Sequence, residues 1–136
     1  MSFGGFLPVR QGFLGGQSGT APSLPIVRVI PFGMEQTVSY GSGTSNGPAA
    51  MIAASLPCQG FTLFDDELWN NPASFFRVET LATPKIAPTA EGALEQLACL
   101  TRRALEDRTF PFTFGGEHAI TPGALRPFVE RWPDIA

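Results

Sequence analysis

One stretch late in the chain, residues 110–118 (FPFTFGGEH), constrains the fold more than any other. Its first five residues are aromatic-rich and favour a strand, a glycine pair follows, and Glu117 and His118 come directly after the glycines. A strand that runs into glycines and then into a helical pattern is typical of an open α/β sheet, in which ligands bind at the carboxyl ends of strands. The glycines allow the backbone to turn sharply there. His118, the one histidine of the chain, is therefore placed like a ligand or a base.

Hydrophobic patterns elsewhere predict strands that alternate with helices. The helix over residues 89–108 has the clearest signal, because its apolar residues recur at spacings of three and four and Thr89 can cap its start. We expect Pro31 to close the first strand. The full set comprises strands over residues 26–30, 75–81 and 110–114 and helices over residues 48–55, 89–108 and 121–131. Such alternation predicts the α/β class, with a parallel sheet covered by helices on both faces.

Composition excludes several classes of partner. The chain of 136 residues has a formal net charge of −3, which argues against nucleic acid as a partner because phosphate binding needs a basic surface. It contains no apolar run of about 18 residues, so we expect no membrane span. The N-terminus has no basic head followed by an apolar core, and we therefore expect a cytoplasmic protein.

Residues 1–25 are rich in Gly, Ser and Pro and follow neither a helical nor a strand period. We interpret them as an irregular N-terminal arm, followed by one domain over residues 26–136. The aromatic and aliphatic side chains of the arm could dock onto this subunit or onto a neighbour; they are Phe3, Phe6, Phe13 and Leu14. Cys58 and Cys99 lack any metal-binding spacing, and we expect buried or half-exposed thiols.

Three motifs, in the same order along the chain, resemble those of the ureohydrolases, the arginase and agmatinase family. Residues 114–121 (FGGEHAIT) are similar to the family signature Gly-Gly-(Asp/Glu)-His-Ser-Ile-Thr. Residues 29–32 (VIPF) and 35–55 (EQTVSYGSGTSNGPAAMIAAS) are similar to an agmatinase-type block, and residues 64–68 (FDDEL) resemble the acidic stretch that follows it. The resemblance extends from residue 26 to residue 136.

The resemblance implies a three-layer α/β/α sandwich around a parallel sheet. It breaks off before the family's Asp-Ala-His-x-Asp motif, so we expect this chain to be the N-terminal portion only and to be inactive alone. For the complete protein the resemblance implies a homo-oligomer. An alternative is a noncatalytic fragment or interaction module that pairs with another ureohydrolase subunit through its exposed sheet edge and its arm.

The resemblance also implies the chemistry. Ureohydrolases hydrolyse a guanidino compound with a hydroxide activated by two manganese ions, and agmatine gives putrescine and urea. Two metal ions lower the pKa of the bridging water and hold it beside the poorly electrophilic guanidinium carbon. By the resemblance His118 is a ligand of one manganese ion. Glu117 is interpreted as a hydrogen-bond acceptor beside the metal ligands or as a backbone brace, and not as a metal ligand itself. No catalytic residue is assigned within this chain.

Several alternatives stay open at this level. In the loop over residues 40–48 the glycines can be purely structural, or Thr44, Ser45 and Asn46 can contact a substrate amine. The acidic residues 65–67 can form a solvated loop or attract cations. Agmatine, guanidinobutyrate and related guanidines all remain candidate substrates, although the motif over residues 37–41 favours agmatine.

Overall fold

The computed structural model describes residues 4–56 and 63–135. Within these ranges three parallel strands form one sheet in the order β2-β1-β3, with β1 in the centre. The strands are β1 (Ile26–Phe32), β2 (Arg77–Thr80) and β3 (Phe110–Gly115), and the α-helices are α1 (Gly47–Ser55), α2 (Ala90–Glu106) and α3 (Thr121–Arg131). The predicted α/β class with a parallel sheet is confirmed.

Helices cover both faces of the sheet, as the sequence predicts. Ile30 and Phe32 of β1 pack into one buried cluster with Leu97 of α2. Val29 packs on the other face with Ile52 of α1. The chain leaves β1 through α1 to reach β2 and returns through α2 to reach β3 on the opposite side. Because such crossovers are right-handed, two moves in opposite directions place α1 and α2 on opposite faces.

Pro31 does not close β1, contrary to the sequence prediction. The strand continues to Phe32, and Pro31 lies buried in it. Alternate residues of a strand bond to opposite neighbours, so residues two apart bond to the same one. The Val29 carbonyl accepts from the Leu81 N–H on the β2 side, and the backbone nitrogen of Pro31 therefore also faces β2. The pairing of β1 with β2 has already ended at Thr80, so no partner there requires a donor from Pro31. No hydrogen bond is therefore lost.

Helix α2 follows the predicted apolar pattern closely. The Thr89 hydroxyl caps the start of the helix by accepting from the Gly92 N–H at 3.2 Å. Arg108 follows the end of the helix and has a positive φ of 58°. Helix α3 packs against α2 with very close backbone approach, since an added Cβ at Gly123 would lie 2.7 Å from the Leu94 carbonyl oxygen. None of the helices in residues 4–56 and 63–135 combines the length and apolar character that crossing a membrane requires.

The N-terminal arm docks onto this subunit, along the free side of β2. It contains two short 3-10 helices, Val9–Gln11 and Phe13–Gly16. The Leu7 N–H donates to the Thr80 carbonyl at 2.8 Å, and the Phe13 ring meets the Phe114 ring edge-on at 4.9 Å. Cys99 is a half-buried free thiol on α2, whereas Phe3 and Cys58 lie outside the described residues. The domain division at residue 25 stays a prediction.

A buried arginine ties the sheet to both the arm and α2. Arg28 lies in the central strand and is only 5% exposed. Its guanidinium donates to Asp107 at 2.6 Å and to Glu79 at 3.0 Å, and it lies 5.1 Å from the centre of the Phe6 ring. The hydrogen bond from Arg28 lowers the pKa of the Asp107 carboxyl below its ordinary value. A buried charge is tolerated here because two carboxylates pair with it.

Candidate functional site

The candidate site lies where β1 and β3 end side by side. The Gly116 N–H donates to the Phe32 carbonyl and the Glu117 N–H donates to the Met34 carbonyl, both at 3.2 Å. An added Cβ at Gly116 would collide with the carbonyl oxygen of Met34, so only glycine permits this approach. The glycine pair therefore joins the two strand ends directly before the acid and the histidine.

His118 follows at the carboxyl end of β3. It is the first residue of a 3-10 helix (His118–Ile120) that leads into α3, and its side chain is exposed. Its carbonyl oxygen accepts from the Thr121 hydroxyl at 2.9 Å, which fixes the start of the helix. The location matches the strand-to-helix pattern from which His118 was selected, and its role as a metal ligand stays a prediction.

Glu117 holds the loop that follows β1. One carboxylate oxygen accepts from the Gln36 N–H at 3.0 Å, and the other accepts from the Thr37 N–H at 2.9 Å and the Thr37 hydroxyl at 3.1 Å. The Gln36 N–H is the main cause that lowers the pKa of the Glu117 carboxyl. Both oxygens thus accept hydrogen bonds from the loop, and the role of Glu117 at a metal site, as an acceptor beside the ligands or as a backbone brace, stays a prediction.

Glu35 holds the glycine-rich loop in the same way, a role that is not among the predictions from the sequence. Its two carboxylate oxygens accept from the Gly43 N–H at 2.7 Å and from the Ser45 N–H at 2.8 Å. The backbone hydrogen bond from Ser45 is the main cause that lowers its pKa. A glutamate shortly before a Gly-rich loop is the signal that could have identified it, because such loops leave N–H groups unpaired.

The three candidate contacts to a substrate amine form a short exposed 3-10 helix, Thr44–Asn46. Gly43 before it has a φ of +102°, which only glycine adopts readily. Asn46 precedes α1 without capping it through its side chain. The acidic stretch forms its own turn, since Asp65 accepts from the Glu67 and Leu68 N–H groups at 2.9 and 2.8 Å.

A manganese ion would need more donors than these residues offer. Divalent metals of this class take several oxygen or imidazole ligands at once. Within residues 4–56 and 63–135 no group of three His, Cys, Asp or Glu side chains is arranged to hold a metal ion. His118 is the one histidine of the sequence, and both oxygens of Glu117 are hydrogen-bonded to the loop. The described residues therefore do not form a complete manganese site.

The fold and the site define an α/β domain with a polar loop cluster at the carboxyl end of its parallel strands. The sequence profile described as "Arginase family" matches residues 26–136. The chain belongs to the arginase family.

Two relatives of known name agree with that membership, and one solved structure shares the fold. The chain is 32% identical over 120 residues to the N(1)-aminopropylagmatine ureohydrolase of Synechocystis sp., covering 84% of this chain and 38% of that protein. It is 26% identical over 118 residues to the agmatinase of Bacillus cereus, covering 85% of this chain and 39% of that protein. The solved agmatine ureohydrolase of Thermoplasma volcanium superposes with a TM-score of 0.59 at 20% identity, over 93% of this chain and 39% of that one. The chain thus spans about two-fifths of the length of these proteins.

Proposed function

We propose that this chain supplies the N-terminal part of an agmatinase-like hydrolase, which converts a guanidino compound to an amine and urea. The observation that carries the proposal is the family match over residues 26–136, together with His118 at the carboxyl end of β3. The complete enzyme is proposed to be cytoplasmic and homo-oligomeric.

The charge at the strand ends supports a cationic substrate. Glu35 and Glu117 both have carboxyl pKa values below the ordinary value, because backbone N–H groups stabilise their ionised forms. Both therefore carry negative charge at neutral pH. A guanidinium or an ammonium group is attracted to such an edge, and an anionic substrate is repelled from it.

We assign His118 as one manganese ligand in the complete enzyme. We assign Glu117, the residue before it, to hold the backbone segment that carries His118. The metal ions would supply an activated water, and the described residues of this chain do not provide a complete set of ligands for them. Glu117 contributes rigidity: it fixes the loop after β1 against the segment that carries His118. The chain alone is accordingly proposed to be inactive.

Agmatine is the proposed substrate, since the motif over residues 37–41 resembles agmatinases. N(1)-aminopropylagmatine is the main competitor, because it is the substrate in the name of the Synechocystis relative. Both molecules combine a guanidinium group with a second cationic end, so the charge argument favours neither. Direct comparison of the two substrates decides between them.

The test joins this chain to the C-terminal part of the Synechocystis relative and measures urea release with manganese. We expect the joined protein to hydrolyse agmatine or N(1)-aminopropylagmatine, and the 136-residue chain and the C-terminal part to be inactive separately. L-arginine and guanidinobutyrate serve as alternative substrates. A folded, manganese-loaded joined protein that releases urea from none of these four compounds would contradict the proposal.

A second candidate, a noncatalytic module that pairs with another ureohydrolase subunit, is favoured by the exposed side of β3. Phe110 is 61% exposed and lines an apolar groove of about 880 Å³ with Phe128, Trp132 and Ile135. Co-expression with a complete ureohydrolase separates the two candidates. Stable co-purification without any gain of activity in the joined protein favours the module.

A further inference from the structure

We propose that Glu35 is a positioning residue for substrate binding: it folds the loop over residues 40–46 against the strand ends beside His118. This inference rests on the proposed function and deepens it, because it assigns the loop a part in binding the guanidino substrate. Glu35 differs from Glu117 in what it holds. Glu117 fixes the first part of the loop after β1, and Glu35 fixes the glycine-rich part that follows.

The two carboxylates hold consecutive parts of the loop after β1. Glu117, from the segment after β3, accepts from the N–H groups of Gln36 and Thr37. Glu35 directly precedes these residues, so its backbone is held by the same contact. Its side chain then accepts from the N–H groups of Gly43 and Ser45 at 2.7 and 2.8 Å. The hydrogen bonds of Glu117 therefore hold the residues next to Glu35, and those of Glu35 hold the second part of the loop.

Close backbone contacts locate this loop at the same edge as His118. An added Cβ at Gly33, just after β1, would collide with the carbonyl oxygen of Ser45. An added Cβ at Gly47, where α1 begins, would lie 3.3 Å from the carbonyl oxygen of Gly115 at the end of β3. The exposed Thr44–Asn46 turn is therefore anchored between the two strands whose ends form the candidate site.

The close approach of Ser45 to Gly33 anchors only the end of the loop, whereas the hydrogen bonds to Glu35 also hold its glycine-rich part at Gly43. Gly41 and Gly43 have φ values of +73° and +102°, and added Cβ atoms at both would meet open space. The Asn46 N–H donates to the Gly43 carbonyl at 3.1 Å, which closes the turn but does not attach it to the sheet. A carboxylate is suited to this role because each of its two oxygens accepts one N–H, whereas an amide offers one acceptor only.

The first experiment measures amide hydrogen exchange at single residues in the 136-residue chain. In Glu35→Ala we expect the amides of Gly43 and Ser45 to exchange about tenfold faster, the change for losing one ordinary hydrogen bond. Glu35→Gln should give a smaller increase. The amides of Gln36 and Thr37 should stay protected, whereas Glu117→Ala should expose all four amides. Glu106→Ala is the matched control, because Glu106 is an exposed acid near the end of α2.

The melting temperature of each variant separates loop opening from general destabilisation. We expect Glu35→Ala to melt close to the parent, since the loop is exposed and the core clusters do not include it. Unchanged exchange at Gly43 and Ser45 would overturn the inference. A uniform rise in exchange across β1, α2 and β3 would also overturn it, because Glu35 would then be an ordinary stabilising residue.

The second experiment uses the joined enzyme and separates KM from kcat. A loop that binds substrate but not the reacting atoms should, when released by Glu35→Ala, raise KM about tenfold and leave kcat nearly unchanged. Partial recovery of KM in Glu35→Gln is expected. An active parent whose KM is unaffected by Glu35→Ala overturns the inference alone. A parent without activity overturns the proposed function and with it the substrate role of Glu35.

Discussion

At the scale of single residues, acidic side chains connect segments that are distant in sequence. Glu117 reaches Gln36 and Thr37 across about 80 residues, and Asp107 reaches Arg28 across 79. The two groups of contacts differ in exposure. Arg28 is buried with its partners half-exposed, whereas Glu35 and Glu117 pair with exposed loop amides. The first group consequently bears on stability and the second on the geometry of the site.

Removing both anionic partners of Arg28 should destabilise the protein more than removing Arg28 itself. The double variant Glu79→Gln/Asp107→Asn leaves a guanidinium that is 5% exposed without a carboxylate, at a cost of roughly 2 kcal/mol. In Arg28→Met the apolar stem is kept and the two carboxylates, each about one-third exposed, reach water. Urea unfolding of the three proteins checks this order, and a less stable Arg28→Met would contradict it.

The same contact predicts an acid-dependent loss of stability. The pKa of Asp107 is lowered in the folded state, so its contribution is present above the ordinary carboxyl pKa and is lost as the pH falls through the folded value. The melting temperature of the parent should therefore fall more steeply below about pH 4 than that of Asp107→Asn. Parallel curves for the two proteins would show that Arg28 does not stabilise the charged carboxylate. Asp66→Asn, in an exposed turn, is the control.

Replacement of His118 tests the metal assignment in the joined enzyme. His118→Ala should weaken the binding of one manganese ion, and activity should fall at least about 10–100-fold, the range for losing only a supporting residue of a metal site. The loss should appear in kcat more than in KM, opposite to Glu35→Ala. Metal analysis after dialysis should find less manganese than in the parent. Parental metal content and turnover would show that His118 is structural.

The sequence predicted the position of Glu117 and His118 after a strand, but it did not predict their contacts. His118 was found because strand, glycine pair and helix are all local signals, readable within ten residues. Glu35 was missed because its role depends on how the chain folds back from Gly43, through positive φ values that the glycines permit but do not dictate. The partners of Glu117 lie about 80 residues away, and no pattern in one sequence specifies such a pairing.

At the scale of secondary structure, the elements with a regular hydrophobic period were predicted well, whereas the continuation of β1 through Pro31 was not. Helices α2 and α3 lie within the predicted ranges, since their apolar spacing and terminal signals agree. Pro31 was read as the end of β1 because proline is rare inside strands. The structure accommodates it because β2 ends earlier than β1, which is a property of the sheet and not of β1 itself.

The α2–α3 contact yields a prediction in which two effects oppose each other. Gly123→Ala gains about 0.5–1 kcal/mol of helix propensity. Its Cβ, however, would lie 2.7 Å from a backbone oxygen at Leu94, which cannot move away as a side chain could. Overpacking typically costs about 1–3 kcal/mol, so the net loss of unfolding free energy should be roughly 1 kcal/mol.

Chemical denaturation measures this loss for Gly123→Ala. As a control, Leu125→Ala on the exposed side of α3 should stay nearly neutral. Stabilisation by Gly123→Ala would show that the helices separate easily.

For the whole molecule, the N-terminal arm protects one edge of the sheet, and no strand within residues 4–56 and 63–135 pairs with the opposite edge. The arm bonds to Thr80 and covers the β2 side. Among the described residues β3 pairs with β1 alone, and its Phe110 and Phe112 are 61% and 43% exposed. Pro111 faces away from β1 by the alternation of the strand, which removes one donor from that edge. Parallel sheets normally have both faces covered and their edge strands protected. The edge of β3 and its exposed aromatic side chains are therefore the expected contact surface of the chain.

The edge of β3 predicts how the 136-residue chain behaves in solution. Exposed aromatic side chains beside an apolar groove should bind a hydrophobic dye without denaturant and drive self-association at raised concentration. Replacing the two strand residues in Phe110→Thr/Phe112→Thr should reduce both effects, because threonine retains strand propensity and lacks the aromatic surface. Phe64→Thr is the control, since Phe64 is equally an exposed aromatic but lies outside the sheet. Light scattering and dye fluorescence give the readout.

Two results would contradict the prediction. A parent chain that stays monomeric and binds no dye would show that the β3 side needs no partner. Equal effects of Phe64→Thr and the double variant would show that the side chains of β3 are not the cause.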